Sequence, residues 1–381
     1  MGLSELAVDG VAPSRAERPS TAEQVAAAIA NANARGAAVV VQAGRTRIGV
    51  GDPPERYDVA LDLGALRGVV EHSPADLVCT VRAGTTLAEL EEALRASGQR
   101  WPVEVAHPEL ATVGGTVAGA AAGPSRLRYQ HPRDWIIGCR AVLGDGTLTR
   151  AGGRVVKNVT GFDLTRLYAG TYGTLVVLVE LTLKLIALPQ RTMTLRIDRT
   201  DLAAALDVAA SLRDTHLPLD ALAIRGDGRA ARVHVRLAGT AAAVERLAAA
   251  VRTHGAAEDD DATWQALTSA TAGGDDVARA VWPAGHRPPD TDLGNAVLYP
   301  GSGIAFLLDP IPPERFRAMR AAFESGGGAL IVERANAEYK RAVGGAWGTI
   351  RTPARIARAL KERFDPNAVL APGRIPLASI A

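Results

Sequence analysis

The sequence has 381 residues, of which 47% are hydrophobic and 22% are charged, and this predicts a globular protein of two or three domains. With 43 basic and 41 acidic side chains, its net charge is +2, so nucleic-acid binding is not expected. The two cysteines, Cys79 and Cys139, exclude a disulfide framework and an iron–sulfur cluster held by four cysteines of this chain, and their apolar surroundings predict buried, reduced thiols in a cytosolic protein.

Alternating helices and strands are predicted for residues 1–188. The N-terminus is polar and lacks an apolar signal core, and no apolar run reaches membrane-spanning length, so any membrane contact is expected through a partner. Residues 20–23 and 86–89 each begin with Ser or Thr and end with Glu, which predicts capping boxes at the starts of two helices. Strands are predicted at residues 37–41, 59–63, 77–81, 135–143, 147–150 and 174–186, with a hairpin turn at residues 144–146.

The composition changes after Pro189, and residues 189–350 are predicted to form a second α+β domain. The order strand, helix, strand, strand, helix over residues 192–253 is typical of a ferredoxin-like unit, and Gly226-Asp227-Gly228 predicts its hairpin turn. The acidic residues 258–261 predict a solvated loop or a helix start. Further elements are predicted at residues 296–299, 304–308, 313 onward and 330–333. Thr352-Pro353 predicts the start of a last helix, within a C-terminal segment of residues 351–381.

A first glycine-rich loop, residues 42–51, follows a buried strand. Glycine lets the chain turn tightly and bring several backbone N–H groups to one anion, and Arg45 and Arg47 could add charge-assisted contacts. From these residues alone, a pyrophosphate loop and an ordinary glycine turn are equally supported. Because Ala43 and Arg45 carry a Cβ, a positive φ is costly at both positions.

A second small-residue stretch, residues 111–119, contains Gly114 and Gly115 before a run that can start a helix. The free N–H groups of a helix start can bind an anion, but close packing of a helix on a sheet selects the same residues. The two stretches lie about seventy residues apart, unlike the compact dinucleotide fingerprint. Neither that fingerprint nor a P-loop is present, so a Rossmann NAD site and phosphoryl transfer from a nucleotide are not expected.

Several motifs resemble those of FAD proteins of the vanillyl-alcohol-oxidase and p-cresol methylhydroxylase (PCMH) type. They lie, in the same order, at residues 43–46, 111–115, 132–138 and 170–175. Residues 152–164, together with Phe364-Asp365-Pro366 and Pro372-Gly373-Arg374, are similar to the FAD-binding subunits of glycolate oxidase and their D-lactate dehydrogenase relatives. The resemblance implies an α+β protein with a PCMH-type two-subdomain FAD-binding fold in residues 1–188. A ferredoxin-like cap would follow, and the C-terminal segment would return to the FAD domain.

The resemblance also implies that FAD binds non-covalently between the two N-terminal subdomains. The implied FAD-binding residues are Ala43, Gly44, Arg45, Thr46 and Arg47 at the pyrophosphate; Thr112, Gly114 and Gly115 beside the flavin; Arg133 and Asp134 as support; and Gly173, Thr174 and Val179 at the adenosine end. Covalent attachment needs a His or Cys, and residues 42–51 contain neither. His107 and His131 are the alternative attachment points, but a structural role is favoured for both.

Features of a catalytic site are sparse in the sequence. Family members that oxidise 2-hydroxy acids carry a histidine-rich, metal-site-like segment in the substrate domain, and the turn at residues 226–228 lacks those histidines. The remaining histidines are scattered, so no metal site is predicted. Lys157, Asn158 and Asp163 form the best polar cluster in the sequence. This cluster would either stabilise an anionic flavin or a substrate carboxylate, or it would order a loop. Ordering of a loop is the favoured role. Tyr168 and Tyr172 are expected to be packing residues.

The resemblance favours an FAD-binding subunit of a cytoplasmic glycolate oxidase (2-hydroxy-acid dehydrogenase) complex. It would be auxiliary to a catalytic FAD subunit and an iron–sulfur subunit. One alternative is a self-sufficient FAD-dependent oxidoreductase of a small hydroxy acid or alcohol. The other is a flavin-free scaffold subunit.

Overall fold

The computed structural model describes residues 2–121, 123–153, 162–349 and 354–375. Up to residue 188, short strands alternate with helices. Their bounds are β1 Arg15–Glu17, α1 Ala22–Ala34, β2 Val39–Gln42, β3 Val59–Asp62, β4 Val69–Ser73, β5 Val78–Arg82, α2 Leu87–Arg95, β6 Gln99–Arg100, α3 Val113–Ala118, α4 Arg126–Tyr129, β7 Ile136–Val142, β8 Leu148–Gly152, α5 Leu164–Tyr168, β9 Val177–Lys184 and β10 Ile186–Ala187.

The rest of the chain has longer strands and helices. Their bounds are β11 Arg191–Arg199, α6 Leu202–Asp214, β12 Ala221–Asp227, β13 Ala231–Gly239, α7 Ala241–Arg252, β14 Ala257–Asp259, α8 Ala262–Ala270, β15 Val277–Val281, β16 Asn295–Tyr299, β17 Ile304–Leu307, α9 Pro313–Ser325, β18 Ala329–Arg334, α10 Ala337–Ala342 and α11 Ala354–Phe364.

Two main sheets and the short antiparallel pair β6-β10 form the N-terminal half of the molecule. One is a parallel three-stranded sheet in the order β1-β3-β2, and the other is an antiparallel five-stranded sheet in the order β4-β5-β9-β7-β8. The buried face of α1, with Val25 and Ile29, packs in a core that joins Val39 of the first sheet to Val177 of the second. Burial of this apolar surface holds the two subdomains together.

The predicted capping boxes differ in accuracy. Thr86 caps α2 as predicted, because its hydroxyl accepts from the amide of Glu89 while the Glu89 side chain accepts from the Thr86 amide. The box predicted at Ser20 is wrong by one residue. The cap of α1 is Thr21, whose hydroxyl accepts from the Gln24 amide, and the Gln24 side chain accepts from the Ser20 amide. The extended φ of Thr21 leaves its hydroxyl in the capping position.

An eight-stranded sheet in the order β14-β11-β13-β12-β16-β17-β15-β18 dominates the second half and forms the cap. The elements β11-α6-β12-β13-α7-β14 form the predicted ferredoxin-like unit, in the spatial order fourth, first, third and second strand. Strands β15 to β18 repeat this order, with α9 in the second crossover and a loop in place of the first helix. The pairing of β12 with β16 joins the two units into one sheet.

The acidic residues 258–261 do not form a plain solvated loop. Glu258 and Asp259 belong to β14, an edge strand paired with β11. Asp261, just before α8, accepts hydrogen bonds from the hydroxyls of Thr192 and Thr194. The segment is therefore an edge strand followed by the start of a helix, because these carboxylates find partners on the neighbouring strand.

The C-terminal segment packs on the N-terminal half. Phe364 at the end of α11 stacks edge-on against Tyr168, at a ring-centroid distance of 5.8 Å. Buried Asp365 accepts from the amides of Val369 and Leu370, which turns the chain toward β2. There Val39 donates to the carbonyl of Val369, and Ala371 donates to the carbonyl of Val39. The predicted helix start at residues 352–353 lies outside the described residues.

Both cysteines are buried free thiols, as predicted. Burial raises the pKa of Cys79 to about 11 and that of Cys139 to about 12. Because the thiolate is the reactive form, we expect neither cysteine of the native protein to react with a disulfide reagent at pH 8. Both should react after unfolding in guanidinium, as measured by release of the coloured thiol. Reaction of a native cysteine within minutes would contradict the burial of that thiol.

Candidate cofactor-binding site

A cavity lies between the two main N-terminal sheets. Its walls come from β2 on one side, from β9 on the other, and from both glycine-rich stretches that the sequence singled out. The predicted residues in the wall are Ala43, Gly44, Arg45, Thr46, Arg47, Thr112, Gly114, Gly115 and Gly173. The fold thus brings together stretches that are about seventy residues apart in the sequence.

Close backbone contact explains two of the glycines. A Cβ built on Gly44 would lie 1.6 Å from the carbonyl oxygen of Leu110, and a Cβ on Gly114 would lie 2.7 Å from the Cβ of Ala83. Since real Cβ contacts of this kind stay beyond 3.0 Å, neither position accepts a side chain without movement of the backbone. Gly44 is therefore the point at which the first loop packs directly on the chain that leads into the second.

The backbone of the first loop presents unpaired donors. The amides of residues 43–47 donate to no residue in the described part of the chain, and the Thr46 hydroxyl likewise has no partner there. The next turn is internally bonded, because Ile48 donates to the carbonyl of Arg45 and Val50 donates to that of Arg47. Successive amides in a tight loop form a concave anion site. The loop can therefore hold a diphosphate without any cationic side chain.

Arg45 takes a different role from the one predicted. It has a φ of +57°, a left-handed conformation that costs about 1–3 kcal/mol for a residue with a Cβ. Its guanidinium donates to the carbonyls of Leu6 and Ala7 and to the side chain of Gln42. Those bonds hold the N-terminal segment against the loop. The guanidinium expected to contact a pyrophosphate is therefore occupied by partners of the protein itself.

Arg47 lines the cavity and its side chain reaches the cap. Its Nη2 atom is 3.1 Å from the carboxylate of Glu333 on β18, and Glu333 also lies 2.7 Å from Nε of Arg279 on β15. Arg279 in turn donates to the hydroxyl of Tyr172, 3.3 Å away. Burial raises the pKa of Glu333, but the two arginines outweigh burial and hold that pKa below its usual range. Nε of Arg47 is buried and has no hydrogen-bond acceptor among the described residues.

The second glycine stretch forms a wall of the cavity, not an anion site. The amides of Val113 and Gly114 donate to the carbonyls of Thr85 and Ala83, and the Gly115 amide donates to the hydroxyl of Thr112. All three donors at the start of α3 are thus already paired. Close packing of helix on strand, the alternative weighed for this stretch, accounts for its glycines. The small residues also leave room for a flat ring beside them.

Four predicted residues lie outside the cavity wall. Arg133 and Asp134 form a short turn in which Asp134 accepts from the His131 amide and pairs with Arg166 at 3.3 Å. Thr174 is buried, donating to the carbonyl of Thr171 and accepting from Lys361. Val179 is a buried residue of β9. The neighbouring residues 176–178 line the cavity instead, and a role for these four in FAD binding remains a prediction.

Several wall residues were not predicted. Tyr172 packs edge-on against Trp347, as expected of a packing residue, but it also lines the cavity, at a φ of +52°. Ala371 and Arg374 also line it, from the C-terminal segment. Arg374 belongs to the Pro372-Gly373-Arg374 motif, which indicated the family but did not predict that Arg374 lines the cavity. Gly119 lies next to Arg47: a Cβ there would be 3.1 Å from Nε of Arg47.

The histidines lie away from this cavity wall. Burial, together with nearby arginines, lowers the pKa of His131 to about 4, and its Nδ1 accepts from the Arg133 amide, so it is a neutral structural residue at pH 7. His107 lines a neighbouring cavity between the first loop and the cap sheet. Asp163 caps α5 by accepting from the Arg166 amide, whereas Lys157 and Asn158 lie outside the described residues. Within the described residues, no group of three or more His, Cys, Asp or Glu is arranged to hold a metal ion.

Comparison with known proteins agrees with this architecture. A family model described as an FAD binding domain matches residues 13–152. The glycolate oxidase subunit GlcE of Escherichia coli K12 is 31% identical, over 88% of this chain and 92% of that protein. A D-2-hydroxyglutarate dehydrogenase of Xanthomonas citri is 35% identical, over 44% of this chain and 35% of that protein.

Structural comparison extends over nearly the whole chain. The solved structure of p-cresol methylhydroxylase with substrate bound has a TM-score of 0.73 and 18% sequence identity, and the match covers 97% of this chain and 90% of that one. This confirms the predicted PCMH-type α+β fold. The sequence matches confirm FAD as the cofactor. None of the helices in the described ranges is long and apolar enough to cross a membrane.

Proposed function

This chain belongs to the family of FAD-linked oxidoreductase proteins that includes the glycolate oxidase subunit GlcE, and we propose that it is the FAD-binding subunit of a glycolate oxidase (2-hydroxy-acid dehydrogenase) complex. In that complex it would act beside a catalytic FAD subunit and an iron–sulfur subunit, in the cytoplasm, with any membrane contact made by a partner. The observation that carries the FAD-binding part of the proposal is that residues 43–47 line a cavity between two sheets, while their amides donate to no other residue in the described part of the chain.

The residues that line the cavity suit FAD in their polarity. The amides of residues 43–47 and the Thr46 hydroxyl would bind the diphosphate, and Arg47 Nε offers an unpaired donor nearby. The glycines at 114, 115 and 119 leave flat, open walls for a ring system, and apolar residues of β2 and β9 complete the wall. Bound FAD would supply electron transfer, while the protein supplies binding, orientation and electrostatics.

The buried ion network favours the auxiliary role over a self-sufficient enzyme. Arg47, Glu333 and Arg279 lie where the first loop meets the cap sheet, between the FAD cavity and the neighbouring cavity. A substrate that reached the flavin from the cap side would have to displace these paired, largely buried charges. Breaking such pairs is costly, so direct oxidation of a hydroxy acid by this chain alone is not expected.

Absorbance spectroscopy of the purified full chain tests the proposal. We expect the protein, after incubation with FAD and removal of the excess, to retain about one flavin per chain and to release it on acid precipitation, as non-covalent binding requires. Glycolate should leave the flavin band unchanged, and dithionite should bleach it. Retention of no flavin would favour the scaffold alternative. Bleaching by glycolate, with turnover of a dye acceptor at enzyme-like rates, would favour the self-sufficient oxidoreductase.

Association with a catalytic partner is a separate test. Coexpression of a tagged copy of this chain with the catalytic FAD subunit and the iron–sulfur subunit of the same source should yield a complex of all three. The complex should bleach on addition of glycolate, although the isolated chain does not. Purification of this chain without either partner at high salt and low salt alike would contradict the proposed complex.

A further inference from the structure

Two buried cations meet behind the first glycine-rich loop. Lys340 on α10 has no exposed surface, and its Nζ lies 2.7 Å from Oδ1 of Asp9. Arg374 of the C-terminal segment lies 2.9 Å from Oδ2 of the same carboxylate. We call Asp9, Lys340 and Arg374 the Asp9 cluster. The Asp9 carboxylate thus holds both cations, and the carboxylate of Asp52 lies close enough to act on each of them.

The rest of the donors in the Asp9 cluster bind the backbone of the loop. Lys340 donates to the carbonyls of Gly49, at 2.7 Å, and Gly51, at 2.9 Å. Arg374 donates to the carbonyls of Ile48, Val50 and Asp52. Every carbonyl from residue 48 to residue 52 is therefore fixed on a cation. This alternation fixes the orientation of five successive peptide units.

From these contacts we infer that Lys340 is a positioning residue for the diphosphate-binding loop, an inference that rests on the proposed FAD site. Lys340 does not line the cavity and acts through Gly49 and Gly51. Lys340 and Arg374 hold the carbonyl oxygens of residues 48–52, so these oxygens cannot turn toward a bound anion. The amides of residues 43–47, which precede them, therefore keep their orientation. Affinity for the diphosphate thus depends on α10, which is distant in sequence.

The Asp9 cluster also joins three separate parts of the chain at the loop. Asp9 comes from the N-terminal segment, Lys340 from a helix that follows the cap sheet, and Arg374 from the C-terminal segment. Pre-organisation of the loop therefore requires all three to be docked. A bound diphosphate should in turn stabilise that docked arrangement, because binding to the folded form shifts the equilibrium toward it.

Lys340→Met tests the inference, because methionine matches the length of the lysine stem but carries no donor and no charge. Dissociation constants for FAD, ADP and riboflavin would be measured by titration of the full-length apoprotein. FAD and ADP share the diphosphate, whereas riboflavin lacks it. We expect Lys340→Met to raise the dissociation constants for FAD and for ADP by the same factor, ~10-fold or more. The dissociation constant for riboflavin should stay unchanged. A variant that was merely less stable would not separate the ligands in this way.

Arg236→Met is the matched control. Arg236 is also a buried cation that links the cap to the N-terminal half, through Asp220 at 2.7 Å and Glu104 at 2.7 Å, but it does not contact the loop. The Arg236→Met variant should be less stable than wild type but should bind FAD, ADP and riboflavin with unchanged affinity. If Lys340→Met does not fold, Lys340→Gln is measured instead, since its shorter, uncharged side chain should not reach both carbonyls.

The outcomes separate the two proposals. Wild-type affinity for FAD and ADP in a folded Lys340 variant overturns this inference, as does an equal loss for riboflavin. If the wild-type chain itself binds neither FAD nor ADP, the proposed function fails instead. Loss of FAD and ADP affinity in the Lys340 variant, with riboflavin binding and the Arg236 control unaffected, supports the positioning role.

Discussion

Gly44→Ala should abolish tight FAD binding. The added Cβ would lie 1.6 Å from the carbonyl oxygen of Leu110, and a tolerable contact needs at least 3.0 Å. The oxygen belongs to the backbone, and the position of a Cβ is fixed by its own backbone, so no side-chain rotation can relieve the clash. The loop must therefore move away from residues 110–111. A displacement of about an ångström can cost ~100-fold where several contacts must align. We therefore expect the FAD dissociation constant to rise by ~100-fold or more, measured by flavin fluorescence during titration of the apoprotein.

Gly239→Ala at the end of β13, away from the loop, is the control for this prediction. Its added Cβ would lie 3.8 Å from the nearest atom, the Cβ of Ala243, which is ordinary van der Waals contact. The FAD affinity of Gly239→Ala should stay within about threefold of wild type, since Gly239 does not line the cavity and a change of this size costs less than about 0.5 kcal/mol. Equal affinities in the two variants would show that the contact between Gly44 and Leu110 does not determine the shape of the site.

Local signals in the sequence predicted the elements that depend on local physics. The capping box at Thr86 follows from hydrogen bonds that close within a few residues. The hairpin predicted at residues 226–228 also forms, but its turn lies at residues 228–230, because Gly226 and Asp227 still belong to β12 and Asp227 accepts from the amides of the turn. The ferredoxin-like unit follows from the order and length of its strands and helices. Its repetition in β15 to β18 was not predicted, because a loop replaces one crossover helix and removes the helical periodicity.

The sequence predicted the glycines of the site but not the partners of its charged residues. Gly44 and Gly114 are conspicuous because few other residues permit such close backbone contact. The partners of the charged residues are distant in sequence: Arg47 pairs with Glu333 and Lys340 pairs with Asp9, 286 and 331 residues away. Single-sequence patterns carry no information on such pairs. For the same reason, Arg45 was expected to contact phosphate, whereas the structure shows its guanidinium on the N-terminal segment.

Because of these long-range pairs, the structure of the cofactor site in the N-terminal half depends on the rest of the chain. The matched family domain ends at residue 152, yet the loop within it is held by Lys340 and Arg374, and Arg47 in the cavity wall pairs with Glu333 of the cap. A cofactor site assembled in this way should form cooperatively with the cap. The charges at the junction are therefore expected to matter for stability as well as for binding.

Glu333→Gln should destabilise the protein by about 3–5 kcal/mol at pH 7. Glu333 is 7% exposed and lies between Arg279 and Arg47, so an uncharged replacement leaves two largely buried guanidinium groups without a carboxylate. Denaturant unfolding followed by circular dichroism measures the loss. The exposed residue Glu92 on α2 provides the control, and Glu92→Gln should change the free energy of unfolding by less than about 0.5 kcal/mol.

The pH dependence of this loss identifies its cause. The pKa of Glu333 is lowered in the folded protein, because Arg279 and Arg47 outweigh the effect of burial. Its contribution to stability is thus present above the unfolded pKa of about 4.5 and is lost as the pH falls through the lower folded value. The difference between wild type and Glu333→Gln should therefore be constant from pH 8 to pH 6 and shrink below about pH 4.5. Parallel stability curves down to pH 3 would mean that the variant acts through packing and not through the charge of Glu333.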